Sequence, residues 1–348
     1  MSDRKYRYRI SGALIALALA AVACGNDDGD NGTGDGGATA TGDGGATALT
    51  GDIVVSGSST VQPISALVAE LFAEDNPDVS VSVDGPGTGD GFELFCNGET
   101  DISDASRAIK EEEQALCEEN GINFVELEVA LDGITVMTNP QNEAVTCMNT
   151  GDLYALIGPE SEGFANWSDA NDLGTEVGGA AVPYPDAPLD IVAPGEESGT
   201  YDAFIELALA DIIEEREAEE ATRPDYQSSP NDNVIIQGIE GSPSSLGWVG
   251  FAFAEEAAEG VKIVEIDGGD GCVAPSRETI ADGSYPLSRS LYIYVNTDKA
   301  AENPALKGYV DFYMTDAGLN EAVAESGYVD LPSERIAATQ AAWEDAAA

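Results

Sequence analysis

The chain has 348 residues, of which 65 are acidic, 14 are basic and none is histidine, giving a formal net charge of −51. This balance argues against binding to nucleic acid or to anionic lipid, because both need basic surface. The absence of histidine excludes Ser-His-Asp triads, histidine acid–base catalysis and histidine-ligated metal sites. We therefore expect no cofactor and no metal, and a strongly solvated acidic surface of a kind suited to high salt. A small anion stays possible as a ligand, because surface charge is screened within about 8 Å whereas backbone N–H groups act at hydrogen-bond range.

The N-terminus has the pattern of an export signal. Four basic residues lie within positions 4–9, an apolar run covers 10–23, and Ala21-Val22-Ala23-Cys24 follows. This order predicts a secretory signal over residues 1–23, since the apolar run is too short for a membrane span. The last four residues are typical of a lipoprotein cleavage box, which would leave an acylated Cys24 at the mature N-terminus. The alternative is an ordinary signal cut nearby, with Cys24 incidental.

Residues 24–50 predict a disordered linker that carries the lipidated cysteine. The segment is almost wholly Gly, Asp, Asn, Thr and Ala, and an eight-residue unit occurs at 33–40 and again at 41–48. It has no apolar period and cannot form a core. The roughly 298 residues that follow are enough for two packed domains.

Four polar loops stand out in the rest of the chain. The first, 57–60, follows the apolar run Ile53-Val54-Val55 and precedes a helical pattern, and the others lie at 85–92, 101–107 and 197–202. Helix starts offer unpaired N–H groups and a positive dipole end, and glycine lets an anion approach the backbone. Four such loops predict helix ends that converge on one oxyanion. The plainer alternative is that Ser and Thr in these loops only cap helices or form turns.

The coarse element pattern indicates an α/β protein. Apolar periodicity predicts helices over 61–72, near 93–96, over 108–119, after Ser198, and over 304–316, 318–326 and 333–345. It predicts strands over 53–55, 79–83, 124–129, 134–138, 191–192, 248–253, 261–266 and 291–295. The alternation predicts largely parallel sheets, with the polar loops at the carboxyl ends of the strands, where ligands bind in such folds. Trp167, Trp248 and Trp343 are interpreted as packing residues.

The ordered set of motifs resembles one family. Its members are Ser56–Pro63, the 85–92 loop, Asp101–Arg107, Ala130–Gly133, the Ser198 loop and Tyr285–Arg289. Together they resemble the PstS family, the phosphate-binding proteins of bacterial phosphate ABC importers. Each motif alone is modest, but the ordered set covers about residues 51–340.

The resemblance implies a type II periplasmic-binding-protein-like clamshell with two lobes and two hinge crossings. The crossings fall near 130–133 and 284–290, so that lobe one is 51–131 plus 287–348 and lobe two is 132–286. Cys96, Cys117, Cys147 and Cys272 are an even number in an exported chain, which favours two disulfides. Pairing Cys96 with Cys117 and Cys147 with Cys272 keeps each bridge within one lobe, although two other pairings are possible.

The resemblance also implies a phosphate site. The residues that it places there are Ser59, Thr60, Val61, Thr88, Gly89, Ser106, Arg107, Asp132, Ser198, Gly199 and Thr200. Arg107 is expected to be the principal cation, bidentate on two phosphate oxygens, unless it only pairs with Glu111 along its helix. Arg289 is interpreted as hinge structure, with a position that reaches the cleft as the alternative.

The chain departs from the family pattern at two positions. Many members have an aspartate at the position of Ser106, where it accepts the phosphate proton, and many have an arginine where this chain has Pro194. Asp132 is a candidate substitute acceptor, with a hinge-stabilising carboxylate as the alternative. An acceptor matters because phosphate carries a proton near neutral pH and sulfate does not.

These expectations describe an extracytoplasmic receptor that binds inorganic phosphate without chemistry and delivers it to the transmembrane subunits of an ABC importer. It would be a monomer held at the outer face of the cell membrane by a lipid on Cys24. The nearest alternative is the same clamshell for another oxyanion, such as sulfate or molybdate. A phosphoester hydrolase and a receptor that reports phosphate to a sensor kinase are further alternatives.

Overall fold

The computed structural model of the protein describes residues 48–196, 198–257 and 260–348. The predicted signal sequence, the lipidation site Cys24 and the linker up to residue 47 lie outside the described residues. Within the described part, no helix is both long enough and apolar enough to cross a membrane.

The elements follow the predicted order of strand, loop and helix. The first group is β1 (Gly51–Gly57), α1 (Gln62–Asp75), β2 (Val79–Asp84), α2 (Thr88–Cys96), β3 (Ile102–Ala105), α3 (Glu111–Asn120) and β4 (Phe124–Thr138). Alternation explains β1, since Ile53 and Val55 are buried while Val54 between them is exposed. A four-residue period explains α1, which buries Ile64, Val68 and Phe72 along one stripe.

The middle of the chain builds a second group of elements. These are β5 (Cys147–Asn149), α4 (Thr150–Ile157), α5 (Asn171–Glu176), β6 (Asp190–Ala193), α6 (Gly199–Phe204), α7 (Ala210–Arg216), β7 (Gln227–Ser228), α8 (Asp232–Gly241), β8 (Ser245–Gly250), α9 (Phe251–Glu256), β9 (Lys262–Ile263), β10 (Glu265–Asp267), β11 (Cys272–Val273) and α10 (Arg277–Ala281). The π-helical turn Ile205–Leu209 joins α6 to α7 without a break, so the helical backbone runs from 199 to 216. Short 3₁₀ turns lie at Pro159–Ser161 and Trp167–Ala170.

The chain then returns to the first group. It forms β12 (Ser288–Asn296), α11 (Thr297–Glu302), α12 (Pro304–Tyr313), a π-helical turn at Ala317–Ala322, α13 (Val323–Glu325) and α14 (Ser333–Ala346).

One predicted strand is partly wrong. Residues 248–253 were expected to be extended, but the strand ends at Gly250 and α9 follows. Phe251 and Ala254 are the buried residues of α9. Their three-residue spacing is helical rather than extended.

Most strands belong to a nine-stranded sheet of order β2-β1-β3-β12-β4-β8-β6-β7, with β9 also paired to β4. The pairs at both ends of this sheet are parallel, but β12 is antiparallel to β3 and to β4, and β8 is antiparallel to β4. The prediction of largely parallel sheets is therefore wrong for the centre, and the sheet is mixed. The antiparallel centre results because the chain returns through β12 instead of crossing over with a helix.

The strands predicted at 124–129 and 134–138 are one strand, β4. Residues 124–133 of β4 pair with β12, and residues 134–138 pair with β8. The change of partner at Gly133 lies where the first hinge crossing was predicted, and Leu287 O accepts from Ile134 N beside it. This change supports the proposed lobe boundaries at 131/132 and 286/287, which stay a proposal.

The two groups of elements have separate cores. One is built on Ile64, Ile293 and Tyr309, and the other on Trp167, Phe204 and Trp248. The rings of Phe204 and Trp248 stack with centroids 4.1 Å apart. All three tryptophans are buried, as expected of packing residues.

Both preferred disulfides are confirmed. Cys96–Cys117 joins α2 to α3, and Cys147–Cys272 joins β5 to β11. Each bridge therefore links elements within one group.

Candidate anion-binding site

The first three polar loops meet at the carboxyl ends of β1 and β3. Ser58 N donates to Asp104 O and Gly87 N donates to Gly57 O, both at 2.9 Å. Gly57 has φ +150°, and a Cβ there would lie 2.0 Å from Asp104 O. Only glycine allows this approach. The loops therefore form one tightly packed rim on lobe one.

Hydroxyl groups from two of these loops form a pair. Thr88 Oγ1 and Ser106 Oγ share a hydrogen bond of 2.9 Å, and Ser106 N donates to Thr88 Oγ1 at 3.2 Å. Thr88 begins α2 and both side chains are buried, whereas Gly89 in the next position is exposed. The pair places two hydroxyl groups beside a helix N-terminus.

The 57–60 loop turns back on itself. Thr60 N donates to Ser58 Oγ and Val61 N donates to Ser58 O, both at 3.2 Å. The two amides predicted to donate to a ligand thus have partners inside the loop. The Thr60 hydroxyl is the group that points across the cleft, since it donates to Gly199 O at 3.3 Å.

The fourth loop faces the first from the other lobe. Ser198 caps α6, its Oγ accepting from Thr200 N at 3.2 Å. A Cβ on Gly199 would lie 3.0 Å from Ser59 O. Ser59 Oγ donates to Asp202 Oδ2 at 2.6 Å. The two lobes therefore meet here at hydrogen-bond range, and the cleft is closed.

Arg289 lies in this cleft, which the sequence analysis gave only as the alternative to a role in the hinge. Its Nε donates to Asp132 Oδ2 at 3.3 Å and its Nη2 donates to Thr60 Oγ1 at 3.0 Å. Its Nη1 donates to Glu206. Only 10 % of the side chain is exposed. Its position beside β4 at the crossing follows from the pairing of Arg289 with Asp132 in register.

Asp132 holds Arg289 through the Nε side of its guanidinium group. Its side chain is 5 % exposed. Burial raises the pKa of Asp132, and the charge and hydrogen bond of Arg289 oppose that rise. Because Asp132 engages Nε, both terminal nitrogens of Arg289 are directed at the cleft.

Arg107 lies near the site with a different partner. Its Nη2 and Nη1 donate to Glu113 Oε1 and Oε2 at 2.7 and 2.8 Å, and its Cζ lies 5.6 Å from the Phe92 ring centroid. The hydrogen bonds that Arg107 donates to Glu113 are the main cause that raises the pKa of Arg107, and the charge of Glu206 adds to it. The helical partner is thus Glu113 rather than Glu111.

A carboxyl group lies buried below the loops. Asp104 Oδ1 accepts from Ser65 Oγ at 2.8 Å, while within the described residues Oδ2 has no hydrogen-bond partner. Burial raises the pKa of Asp104 to about 7, and the hydrogen bond from Ser65 opposes the rise.

A cavity of about 280 Å³ lies along the cleft. Lobe one lines it with Ser59 and Thr88, and the 199–216 helix lines it with Asp202 and Glu206. A separate cavity of about 410 Å³ in lobe two contains Arg223 and shares no lining residue with the four loops. Nowhere in the described chain do three or more Cys, Asp or Glu side chains group as a metal site would require.

The arrangement can bind a small anion. Hydroxyl donors, a helix start and one largely buried arginine converge on this cleft, where hydrogen bonds are stronger than in bulk water. Two lobes closing on such a cleft define a solute-binding protein. A family model described as a PBP superfamily domain matches residues 36–317.

Comparison with curated relatives identifies the family within this class of solute-binding proteins. The phosphate-binding protein PstS of Staphylococcus saprophyticus is 33% identical over 335 residues, which are 95% of this chain and 92% of the relative. The chain therefore belongs to the PstS family of phosphate-binding proteins, within the PBP superfamily. This confirms the resemblance read from the motifs.

Two further comparisons agree. The protein SphX of Synechocystis is 39% identical over 284 residues, covering 81% of this chain and 79% of the relative. The structure of a possible phosphate binding protein from Planctomyces limnophilus has a TM-score of 0.76 and 35% identity, covering 86% of this chain and 99% of that one. The two-lobed α/β fold is confirmed.

Proposed function

We propose that the protein is an extracytoplasmic receptor that binds inorganic phosphate in the cleft and delivers it to the membrane subunits of an ABC importer. The observation that carries the proposal is Arg289, which Asp132 holds through Nε while its terminal nitrogens face Thr60 and the opposite lobe. The phosphate-binding names of the relatives support the same ligand. No chemical step is part of this function.

The proposed donors come from the four loops: Ser59, Thr60, Val61, Thr88, Gly89, Ser106, Ser198, Gly199 and Thr200. The amides of Thr60, Val61 and Thr200 would have to exchange their present acceptors on Ser58 and Ser198 for the ligand. Arg289 is the principal cation, because its fork faces the cleft, while Glu113 already engages both terminal nitrogens of Arg107. Arg107 is a second, outer positive charge. Asp132 is the residue that positions Arg289.

The acidic surface does not prevent this binding. Charges beyond about 8 Å are screened at physiological ionic strength. Within the cleft, charge-assisted hydrogen bonds from an arginine that is 10 % exposed act at close range. The receptor therefore needs only a local excess of donors.

Titration calorimetry of the purified protein, stripped of bound anion, tests the proposal. Phosphate and sulfate are added separately at low and high salt. Saturable one-to-one phosphate binding, with sulfate bound much more weakly, is the expected result. Tight sulfate binding would keep the clamshell and change the ligand, and no binding of either anion would overturn the proposal.

We propose further that the protein is lipid-anchored through Cys24 at the outer face of the membrane and acts as a monomer. The basic start, the apolar run and the cleavage box support the anchor. Metabolic labelling with a fatty-acid analogue should mark the protein but not a Cys24→Ala variant. Equal labelling of both would show that the lipid is elsewhere.

A further inference from the structure

We propose that Glu206, and not Asp132, is the carboxylate that accepts the proton of bound phosphate and so makes the cleft select phosphate over sulfate. The inference rests on the proposed function and names a specificity residue for that same site. Three observations carry it.

The first observation is where the carboxylate lies. Glu206 belongs to lobe two, yet its Oε2 accepts from Ser106 Oγ at 3.4 Å and from Arg289 Nη1. These are two of the donors that we assign to phosphate. A phosphate that takes them displaces the Glu206 carboxylate from these two donors and arrives directly beside it.

The second observation is that Glu206 can yield its place. Its side chain is 45 % exposed, whereas that of Asp132 is 5 % exposed. A rotamer change of Glu206 can open room for phosphate and keep the carboxylate at its edge. Asp132 engages the Nε side of Arg289, so the guanidinium separates it from a ligand on the terminal nitrogens.

The third observation is the backbone that carries Glu206. Asp202 and Glu206 are four residues apart on one face of the 199–216 helix. Asp202 accepts a hydrogen bond from the Ser59 hydroxyl of the opposite lobe. The helix widens into a π turn at Ile205–Leu209, which contains Glu206. Such turns are rare and are frequent at functional sites. The same helix start, Ser198–Thr200, supplies the lobe-two donors.

The chemistry then decides selectivity. An ionised carboxylate only accepts hydrogen bonds, so an anion beside it must supply a proton. Phosphate near neutral pH has at least one P–OH group, which donates to Glu206, while its other oxygens accept from Arg289 and Ser106. Sulfate has no proton to give, and two negative groups would then face each other in a closed cleft.

The test compares Glu206→Gln with Glu220→Gln. Glu220 is exposed and lines the same cavity, so the second variant removes the same charge without touching the cross-cleft contacts described for Glu206. Dissociation constants for inorganic phosphate and sulfate are measured by calorimetry on the wild type and both variants at pH 7.5. The amide can donate to sulfate, so Glu206→Gln should lower the phosphate-over-sulfate preference by at least about tenfold. Glu220→Gln should shift both anions alike.

Each of the other outcomes would overturn either the role of Glu206 or the proposed function as a whole. A preference in Glu206→Gln within about twofold of the wild type, or an equal loss in both variants, overturns the role of Glu206 and leaves phosphate binding intact. A wild type that binds phosphate and sulfate equally also overturns it. A wild type that binds neither anion overturns the proposed function and this inference together.

Discussion

Two regions of the cleft wall each contain a buried aspartate and an arginine, but the two residues are paired in only one of the regions. At the strand crossing, the buried carboxylate Asp132 pairs with Arg289, which spans 157 residues of sequence. At the end of β3, the buried Asp104 has Ser65 as its hydrogen-bond partner, while Arg107 pairs with Glu113 six residues away. Burial raises the pKa of both aspartates, but at Asp132 an arginine opposes it.

The different partners of Arg289 and Arg107 determine which of the two arginines is available to a ligand. Asp132 engages Arg289 through Nε, and the two terminal nitrogens of Arg289 donate into the cleft, to Glu206 and Thr60. Glu113 engages both terminal nitrogens of Arg107 in one bidentate pair, which leaves that face of the guanidinium with no room for a ligand. Position in a motif does not distinguish the two cases. The partner of each guanidinium does.

The largest expected effect is at Arg289. Arg289→Ala should weaken phosphate binding by about 100- to 1,000-fold, because a charge-assisted contact is lost and Asp132 stays buried without its cation. Calorimetry gives the dissociation constant, and a thermal melt checks that the variant folds. A folded variant with wild-type affinity would return the role of principal cation to Arg107.

The second effect is on stability at Asp104. Its pKa is about 7 in the folded protein against a usual 3.8, so stability is greatest below the lower value and falls as pH rises through the higher one. Between pH 5 and pH 8 the free energy of unfolding of the wild type should fall about 2–3 kcal/mol further than that of Asp104→Asn.

Urea unfolding of both proteins at the two pH values measures this difference, and the other carboxyl groups cancel in the comparison. Parallel pH profiles would show that Asp104 is ionised in the fold. The same measurement on Asp132→Asn should give a smaller difference, since Arg289 favours the charged form there.

The third effect shows whether Asp132 positions Arg289 or accepts the proton of phosphate. Asp132→Asn should weaken phosphate and sulfate binding alike, by about tenfold, because Arg289 loses an ionic anchor and has to be ordered by the ligand. Titrations with the two anions give both constants. A selective loss of phosphate would instead make Asp132 the proton acceptor.

The smallest expected effect is at Arg107. Arg107→Ala should weaken phosphate binding only about threefold, as the loss of an outer charge. Glu113→Gln is the matched control, since it breaks the same ion pair and keeps the arginine. A loss in Arg107→Ala comparable to that in Arg289→Ala would mean that Arg107 leaves Glu113 when phosphate binds.

Local patterns predicted much of the fold. The strand–loop–helix alternation and the four loops could be found from sequence because each depends on neighbouring residues. The disulfide pairing depended instead on the lobes that the family resemblance implied. The loop patterns also singled out Thr60, Thr88 and Ser106, which we propose as donors. Their hydroxyls lie where the loops of one rim meet.

The rest depends on distant partners. Arg289 stands 229 residues from Thr60, and only the tertiary fold joins them. Glu206 is a single acidic residue in a mainly apolar helical segment, and its sequence neighbours give no sign of the contacts it makes with Ser106 and Arg289 across the cleft. The antiparallel centre of the sheet was missed because periodicity indicates strands but not their direction.

The two strands that pass between the lobes remain hydrogen-bonded to each other, with Ser288 beside Gly133 and Leu287 O accepting from Ile134 N. The lobes are therefore joined by a hydrogen-bonded pair of strands and not by two separate linker segments. Separating the lobes must therefore either break these hydrogen bonds or change the twist of the two paired strands. If the hydrogen bonds persist, we expect the lobes to rotate relative to each other as the cleft widens.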